Sequence, residues 1–183
     1  MRSQLRHLYT RPRTENESTD FAISRFLVPA MCNFDGWAIF CDGDMLCRSD
    51  ISHLYRMRDE KYAVQVVKHD HRPREETKFL GQKQLAYPRK NWSSVMLMNC
   101  SRCKSLNPPY VNTAPGVDLH RFAWLEDEAI GELPREWNHL VGYDSPNQEA
   151  KIVHYTLGMP FFKEFSGCEF SQDWQEEKYR MGA

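Results

Sequence analysis

Two aspartates one residue apart, Asp42 and Asp44, follow directly on a short apolar run. The run, residues 37–41, predicts a buried strand, so both carboxylates lie where that strand ends. A solvated turn of Asp and Gly explains one carboxylate through local hydrogen bonds. A second carboxylate on the same face indicates a site for a divalent cation, provided that a further ligand joins the pair.

A histidine is the candidate for that further ligand. Residues 151–154 form a predicted strand that ends in His154. In open α/β sheets ligands bind beyond the carboxyl ends of strands, so His154 and the aspartates are expected to converge. Two carboxylates and one imidazole suit manganese, which accepts oxygen and nitrogen ligands. The alternative for His154 is a hydrogen-bonded histidine at a strand end.

The composition excludes several classes of function. The chain has 183 residues, of which 41% are hydrophobic and 27% charged, as in a globular domain. A net charge of -1 gives no basic field for nucleic acid. The sequence shows neither an apolar run long enough for a membrane span nor a secretory signal. We therefore expect a cytoplasmic protein with no membrane span and with reduced cysteines.

One lone Cys-x-x-Cys pair, Cys100 and Cys103, has the spacing of zinc ligands. A structural zinc site needs a second such pair or histidines at ligand spacing, and none follows closely. We therefore expect the two thiols to be ordinary core residues.

Strand and helix patterns alternate along the chain, which predicts an α/β fold. Strands are predicted at residues 37–41, 62–67, 94–98 and 151–154. A first helix is predicted at residues 21–29, with Ser18 or Thr19 as its N-cap. Further helices are predicted to begin at residue 49, to cover 124–131 and to begin at residue 164. A long polar loop covers 68–83. We expect a single domain over 1–183, with a polar arm (1–17), a core (18–162) and a polar C-terminal segment (163–183).

Six short motifs occur in a defined order within residues 18–162. They are the helix that carries Arg25, the Asp-x-Asp pair, residues 91–99 (NWSSVMLMN), 126–128 (EDE), 133–138 (LPREWN) and 154–158 (HYTLG). This series resembles the glycosyltransferases of the GT-A fold, in particular glycosyltransferase family eight and its bacterial relatives. The resemblance implies a Rossmann-like mixed sheet flanked by helices.

The resemblance also implies an activity and a cofactor. Such enzymes move a hexose from a nucleotide diphosphate sugar, here a UDP-hexose, to an acceptor with retention of configuration. They bind Mn²⁺ or another divalent cation, and the carried-over ligands are Asp42, Asp44 and His154. The acceptor remains open between a lipid-linked sugar, a polysaccharide and a protein.

Further site residues follow from the same motifs. Asp127 is the candidate for the carboxylate near the transferred sugar, although the family more often shows Asp-Gln there and an acidic first helical turn is the alternative. The candidates for binding the donor are Arg25, Gly43, Asn91, Ser93, Ser94 and Gly158. Ser94 stands where the family more often has glycine, and Arg25 has the alternative of an ordinary surface arginine.

Two departures from the family pattern affect the donor site. Residues 159–161 (MPF) stand where the family has Lys-Pro-Trp, so a cation for the diphosphate is missing there. Residues 1–17 do not resemble the strand and loop that recognise the base and ribose. Three interpretations remain open. The chain is a fragment, its start has been set too far downstream, or it binds the nucleotide with fewer contacts than the family does. The expected fold thus lacks the first N-terminal strand.

Two other functions remain open. One is a domain that binds a sugar nucleotide or a partner without catalysis. The other is a metal-dependent hydrolase that uses the Asp pair with His69 and His71.

Overall fold

A computed structural model describes residues 7–12, 22–70 and 88–182 of the chain. Within these ranges the strands are β1 (Trp37–Cys41), β2 (Met45–Cys47), β3 (Val64–Val66), β4 (Val95–Asn99), β5 (Ile130–Glu132), β6 (His139–Leu140) and β7 (Ile152–His154). The α-helices are α1 (Val28–Met31), α2 (Ile51–Arg56), α3 (Pro108–Thr113), α4 (Gly116–His120) and α5 (Ser171–Arg180). None of these helices is long and apolar enough to cross a lipid bilayer.

The strands form two sheets. Sheet A has the order β1-β4-β3-β5, in which β4 is antiparallel to both its neighbours and β3 is parallel to β5. Sheet B has the order β2-β7-β6, with β2 antiparallel and β6 parallel to β7. The fold is therefore α/β with mixed sheets, as predicted.

Strand β4 lies at the centre of the core. Its side chains alternate between two hydrophobic clusters: Met96 and Met98 pack in one, Val95 and Leu97 in the other. All five residues of β4 are buried, because helices and loops cover both faces of sheet A. The continuous apolar pattern that predicted this strand thus reflects burial on both faces.

Capping side chains start two of the helices. Asp50 accepts a hydrogen bond from the Ser52 backbone N–H at α2, and Asn107 accepts one from the Tyr110 N–H at α3. Both are favoured N-cap residues, and each satisfies an N–H group that the first helical turn leaves free.

Four predicted strands are confirmed, although β3 is shorter than the predicted range 62–67. The helix predicted at 124–131 is wrong. A 3-10 helix covers only Asp127–Ala129, and residues 130–132 form β5 because they pair in parallel with β3. The first predicted helix is reduced to a 3-10 helix, Ser24–Leu27, followed by α1, and its predicted caps lie outside the described residues. The helical C-terminal segment is confirmed by α5.

Part of the predicted polar arm packs against α3. The Asn112 side chain accepts hydrogen bonds from the backbone N–H groups of Thr10 and Arg11 at 2.9 and 3.0 Å. Tyr9 is buried in the core beside them. Residues 7–12 therefore belong to the folded unit.

Candidate metal centre where the two sheets meet

Residues 42–44 carry the chain from sheet A to sheet B. The Asp42 N–H donates to the Ser94 carbonyl at 2.9 Å, directly before β4 in sheet A. The Asp44 carbonyl accepts from the Tyr155 N–H at 3.0 Å, directly after β7 in sheet B. Gly43 between them is exposed, with open space beside its Cα. The two carboxylates are therefore anchored to different sheets.

The structure brings Asp42, Asp44 and His154 together. One ligand atom from each of them lies within 4.8 Å of the others, and we call this group the Asp–Asp–His cluster. His154 Nε2 lies 3.4 Å from Asp44 Oδ1, and the imidazole is 5% exposed. In the part of the chain that the structure describes, this is the one group of three or more such side chains close enough to hold a metal ion.

Arg25 is tied to the cluster from the helical segment before β1. Its Nη2 donates to Asp42 Oδ1 at 2.7 Å and its Nη1 to Asp42 Oδ2 at 3.0 Å, which makes a bidentate ion pair. Nη1 also donates to the Ser93 carbonyl at 2.9 Å. The Arg25 side chain is only 11% exposed, so the alternative of an ordinary surface arginine is wrong.

The two carboxylates differ in their electrostatics. Burial raises the pKa of Asp42, and the opposing charge of Arg25 does not fully offset that effect. Burial also raises the pKa of Asp44, but the hydrogen bond and charge of His154 outweigh it and leave the pKa below its ordinary value. The cluster thus concentrates two acidic groups in a partly desolvated place, where Arg25 compensates only part of their charge.

The donor set fits a divalent cation. Two carboxylates and an imidazole are ligands for metals of the manganese type. His154 Nδ1 is buried without a hydrogen-bond partner among the described residues, while Nε2 faces Asp44. Nε2 is therefore the ring nitrogen that is placed to bind a cation together with Asp44.

Three predicted donor-binding residues form the turn before β4. Asn91 has a left-handed backbone with φ of 65°, and its carbonyl accepts from the Ser94 hydroxyl at 2.6 Å. The Ser93 hydroxyl lies 2.8 Å from His120 Nδ1. Both hydroxyls are buried and hydrogen-bonded. The Ser93 carbonyl accepts a hydrogen bond from Arg25, and the Ser94 carbonyl accepts one from the Asp42 N–H. Sugar binding by these side chains stays a prediction.

The other two predicted residues lie outside the cluster. Asp127 is 78% exposed and forms an ion pair with Arg89, which also donates to the Arg121 carbonyl at 3.0 Å. At Gly158, with φ of 155°, a Cβ would overlap the ring of Phe165. Glycine is thus required there by its own chain, and a donor contact by either residue stays a prediction.

Asn138 is a residue of the site that sequence reasoning missed. Its side chain is fully buried, and its Nδ2 donates to the Ser94 hydroxyl at 2.8 Å. The sequence carried only a weak signal for it, its place at the end of the motif at 133–138.

Solved structures similar to this chain are glycosyltransferases. The apo structure of the WbbM bifunctional glycosyltransferase matches with a TM-score of 0.62 at 15% identity, over 92% of this chain and 36% of that chain. The apo form of the glycosyltransferase GlyE from Streptococcus pneumoniae TIGR4 matches with a TM-score of 0.57 at 16% identity, over 91% and 44%. The chain thus spans less than half the length of either structure, and these likenesses show the fold alone.

A sequence relative gives the family. No family model matches the chain. Protein CDI from Arabidopsis thaliana is 48% identical over 177 residues, which cover 93% of this chain and 68% of that protein. The chain therefore has the GT-A glycosyltransferase fold and belongs to the family of Protein CDI.

Proposed function

We propose that the chain transfers a hexose from a UDP-hexose to an acceptor with the help of Mn²⁺ or another divalent cation, as a single domain over residues 1–183. The Asp–Asp–His cluster on a GT-A fold is the observation that carries the proposal. The resemblance to glycosyltransferase family eight adds retention of configuration at the transferred sugar. The acceptor is a lipid-linked sugar, a polysaccharide or a protein.

The residues of the cluster take defined roles in this proposal. Asp42, Asp44 and His154 hold the cation, which when bound supplies a Lewis acid for the departing diphosphate. Arg25 fixes the orientation of Asp42 and keeps a permanent positive charge beside it. The donors of Arg25 are engaged by the Asp42 carboxylate and by the Ser93 and Ala22 carbonyls, so Arg25 acts on the donor through Asp42 and not by direct contact.

The donor contacts complete the proposal. Gly43 lets the donor approach the backbone between the two acids, since nothing lies within 4 Å of the position of a Cβ there. Asn91, whose Nδ2 has no hydrogen-bond partner among the described residues, is the candidate of this turn for a sugar hydroxyl, whereas Ser93 and Ser94 bind sugar only if their present hydrogen bonds are exchanged. Asp127, oriented by Arg89, stabilises positive charge that develops on the transferred sugar, as carboxylates do in glycoside hydrolysis.

Thermal unfolding with Mn²⁺ and UDP tests the donor site. A ligand that binds only the folded state stabilises it by about 2.7 kcal/mol at one hundred times its dissociation constant. We expect UDP to stabilise the wild-type protein only when Mn²⁺ is present, and Asp44→Ala to abolish this effect. Asp118→Ala is the matched control, since Asp118 pairs with Arg121 at 2.8 Å outside the cluster. An undiminished Mn²⁺-dependent shift in Asp44→Ala contradicts the metal assignment.

The products distinguish the proposal from its two rivals. A transferase converts a UDP-hexose to UDP and a glycosylated acceptor, a hydrolase releases the free sugar to water, and a binding domain shows the thermal shift without turnover. For the hydrolase, His69 is buried and is not part of the Asp–Asp–His cluster, while His71 lies outside the described residues.

A further inference from the structure

The geometry of the Asp–Asp–His cluster depends on how the two sheets are joined. Asp42 is anchored to β4 of sheet A through the Ser94 carbonyl, and His154 is the last residue of β7 in sheet B. A small shift of one sheet against the other therefore changes the distance between Asp42 and His154. A metal site tolerates such shifts poorly, because its ligands must match the coordination distances of the ion.

Asn138 links the two sheets directly beside the cluster. It immediately precedes β6 of sheet B, and its Nδ2 donates to the Ser94 hydroxyl at 2.8 Å and to the Asn91 carbonyl at 3.3 Å. Both acceptors belong to the turn that leads into β4 of sheet A. The Ser94 hydroxyl thus accepts a hydrogen bond from the Asn138 side chain, and the Ser94 carbonyl accepts one from the Asp42 backbone N–H.

The arrangement is costly for the fold alone. Asn138 is 0% exposed, and its Oδ1 has no hydrogen-bond partner among the described residues. A buried amide that uses only its donor side loses hydration without full compensation, so an apolar residue of similar size is expected to be tolerated at least as well. Stability alone therefore does not explain the hydrogen bonds of Asn138.

We propose that Asn138 is a positioning residue that sets the affinity of the Asp–Asp–His cluster for a divalent cation. It holds the turn at 91–94 at a fixed distance from β6 and β7, and so holds Asp42 in register with His154. This inference rests on the metal site of the proposed function. It adds Asn138 to the three ligands as a residue that orients them without contacting the ion.

Binding of Mn²⁺ alone, followed by the electron paramagnetic resonance signal of the free ion, tests the proposal without a nucleotide or any activity. Asn138→Ala is expected to weaken Mn²⁺ binding about tenfold or more, the size seen for residues that support metal ligands. Ser94→Ala removes the accepting hydroxyl of the same bond and is expected to act in the same direction. Asn112→Ala, which removes an amide with four hydrogen bonds on α3, is the matched control for stability.

The control separates positioning from a general loss of stability. Asn112→Ala is expected to lower the unfolding temperature and to leave the dissociation constant for Mn²⁺ within about twofold of wild type, since additive effects are normal for distant sites. A folded Asn138→Ala that binds Mn²⁺ like wild type overturns the inference. Should Asn138→Ala not fold, unchanged binding by Ser94→Ala overturns it instead. Absence of saturable Mn²⁺ binding in the wild-type protein overturns the metal site of the proposed function as well.

Discussion

Arg25→Met isolates the ion pair that supports the Asp–Asp–His cluster. The substitution keeps an unbranched side chain against Phe40 but removes both hydrogen bonds to Asp42. Breaking a buried pair by removing one partner costs about 3–5 kcal/mol, because the remaining charge stays desolvated. Asp42 is 21% exposed, so we expect the lower end, about 3 kcal/mol at neutral pH without metal.

The loss should depend on pH in a defined direction. Burial already raises the pKa of Asp42 in the wild-type protein, and loss of the Arg25 charge raises it further. A carboxyl whose pKa is higher in the folded than in the unfolded state destabilises the fold once both states are ionised. That penalty disappears at acidic pH, where the carboxyl is protonated in both states. The deficit of Arg25→Met should therefore shrink as the pH falls.

Urea unfolding followed by tryptophan fluorescence measures the deficit at neutral and at acidic pH. Arg121→Met is the matched control, because Arg121 pairs with Asp118 on the surface and is 48% exposed. That variant is expected to lose less than about 1 kcal/mol at either pH. A loss for Arg25→Met no larger than that of the control, or one that grows at acidic pH, would refute this account of the pair. Saturating Mn²⁺ should restore part of the lost stability, since the cation supplies a compensating charge.

Two further predictions concern the segments on either side of the cluster. Gly158→Ala should lower the free energy of unfolding by about 1–3 kcal/mol, because the added methyl group would overlap Phe165. Gly167→Ala is the control and should be close to neutral, since nothing lies within 4 Å of a Cβ at that position. Equal urea midpoints for the two variants would contradict this packing. Burial raises the pKa of the Cys41 thiol to about 12, whereas Cys47 is exposed. Iodoacetamide at pH ~8 should therefore alkylate Cys47 well before Cys41 in peptide mass spectrometry, and preferential labelling of Cys41 would contradict its burial.

Local sequence patterns predicted much of the sheet core correctly. Strands β1, β3, β4 and β7 are apolar runs bounded by polar residues, as is typical of strands. The prediction that β1 is buried is wrong, because β1 lies at the edge of sheet A and its five residues are half-buried, whereas β3, β4 and β7 are buried. The short strands β2 and β6 were missed, because two or three residues carry too little pattern to be recognised. They exist as strands only through their pairing with β7.

The acidic segment before β5 shows where local reasoning fails. Residues 126–128 resemble the first turn of a helix, and a helix was predicted there. The chain instead leaves a single 3-10 turn and enters β5, because Ile130 is buried when it pairs with Val64 of β3. Pairing between residues 66 positions apart in the chain outweighs the local helical preference.

Some features of the candidate site were predictable from the sequence, and others depend on the tertiary structure. The types of ligand, two carboxylates and a late histidine at strand ends, could be read from the sequence, because residue type and spacing specify them locally. The approach of Asp42 to His154, the ion pair with Arg25 and the bridge made by Asn138 arise only where sheet A meets sheet B. These contacts join segments far apart in the chain, so no local pattern encodes them, and the packing of the two sheets brings them together.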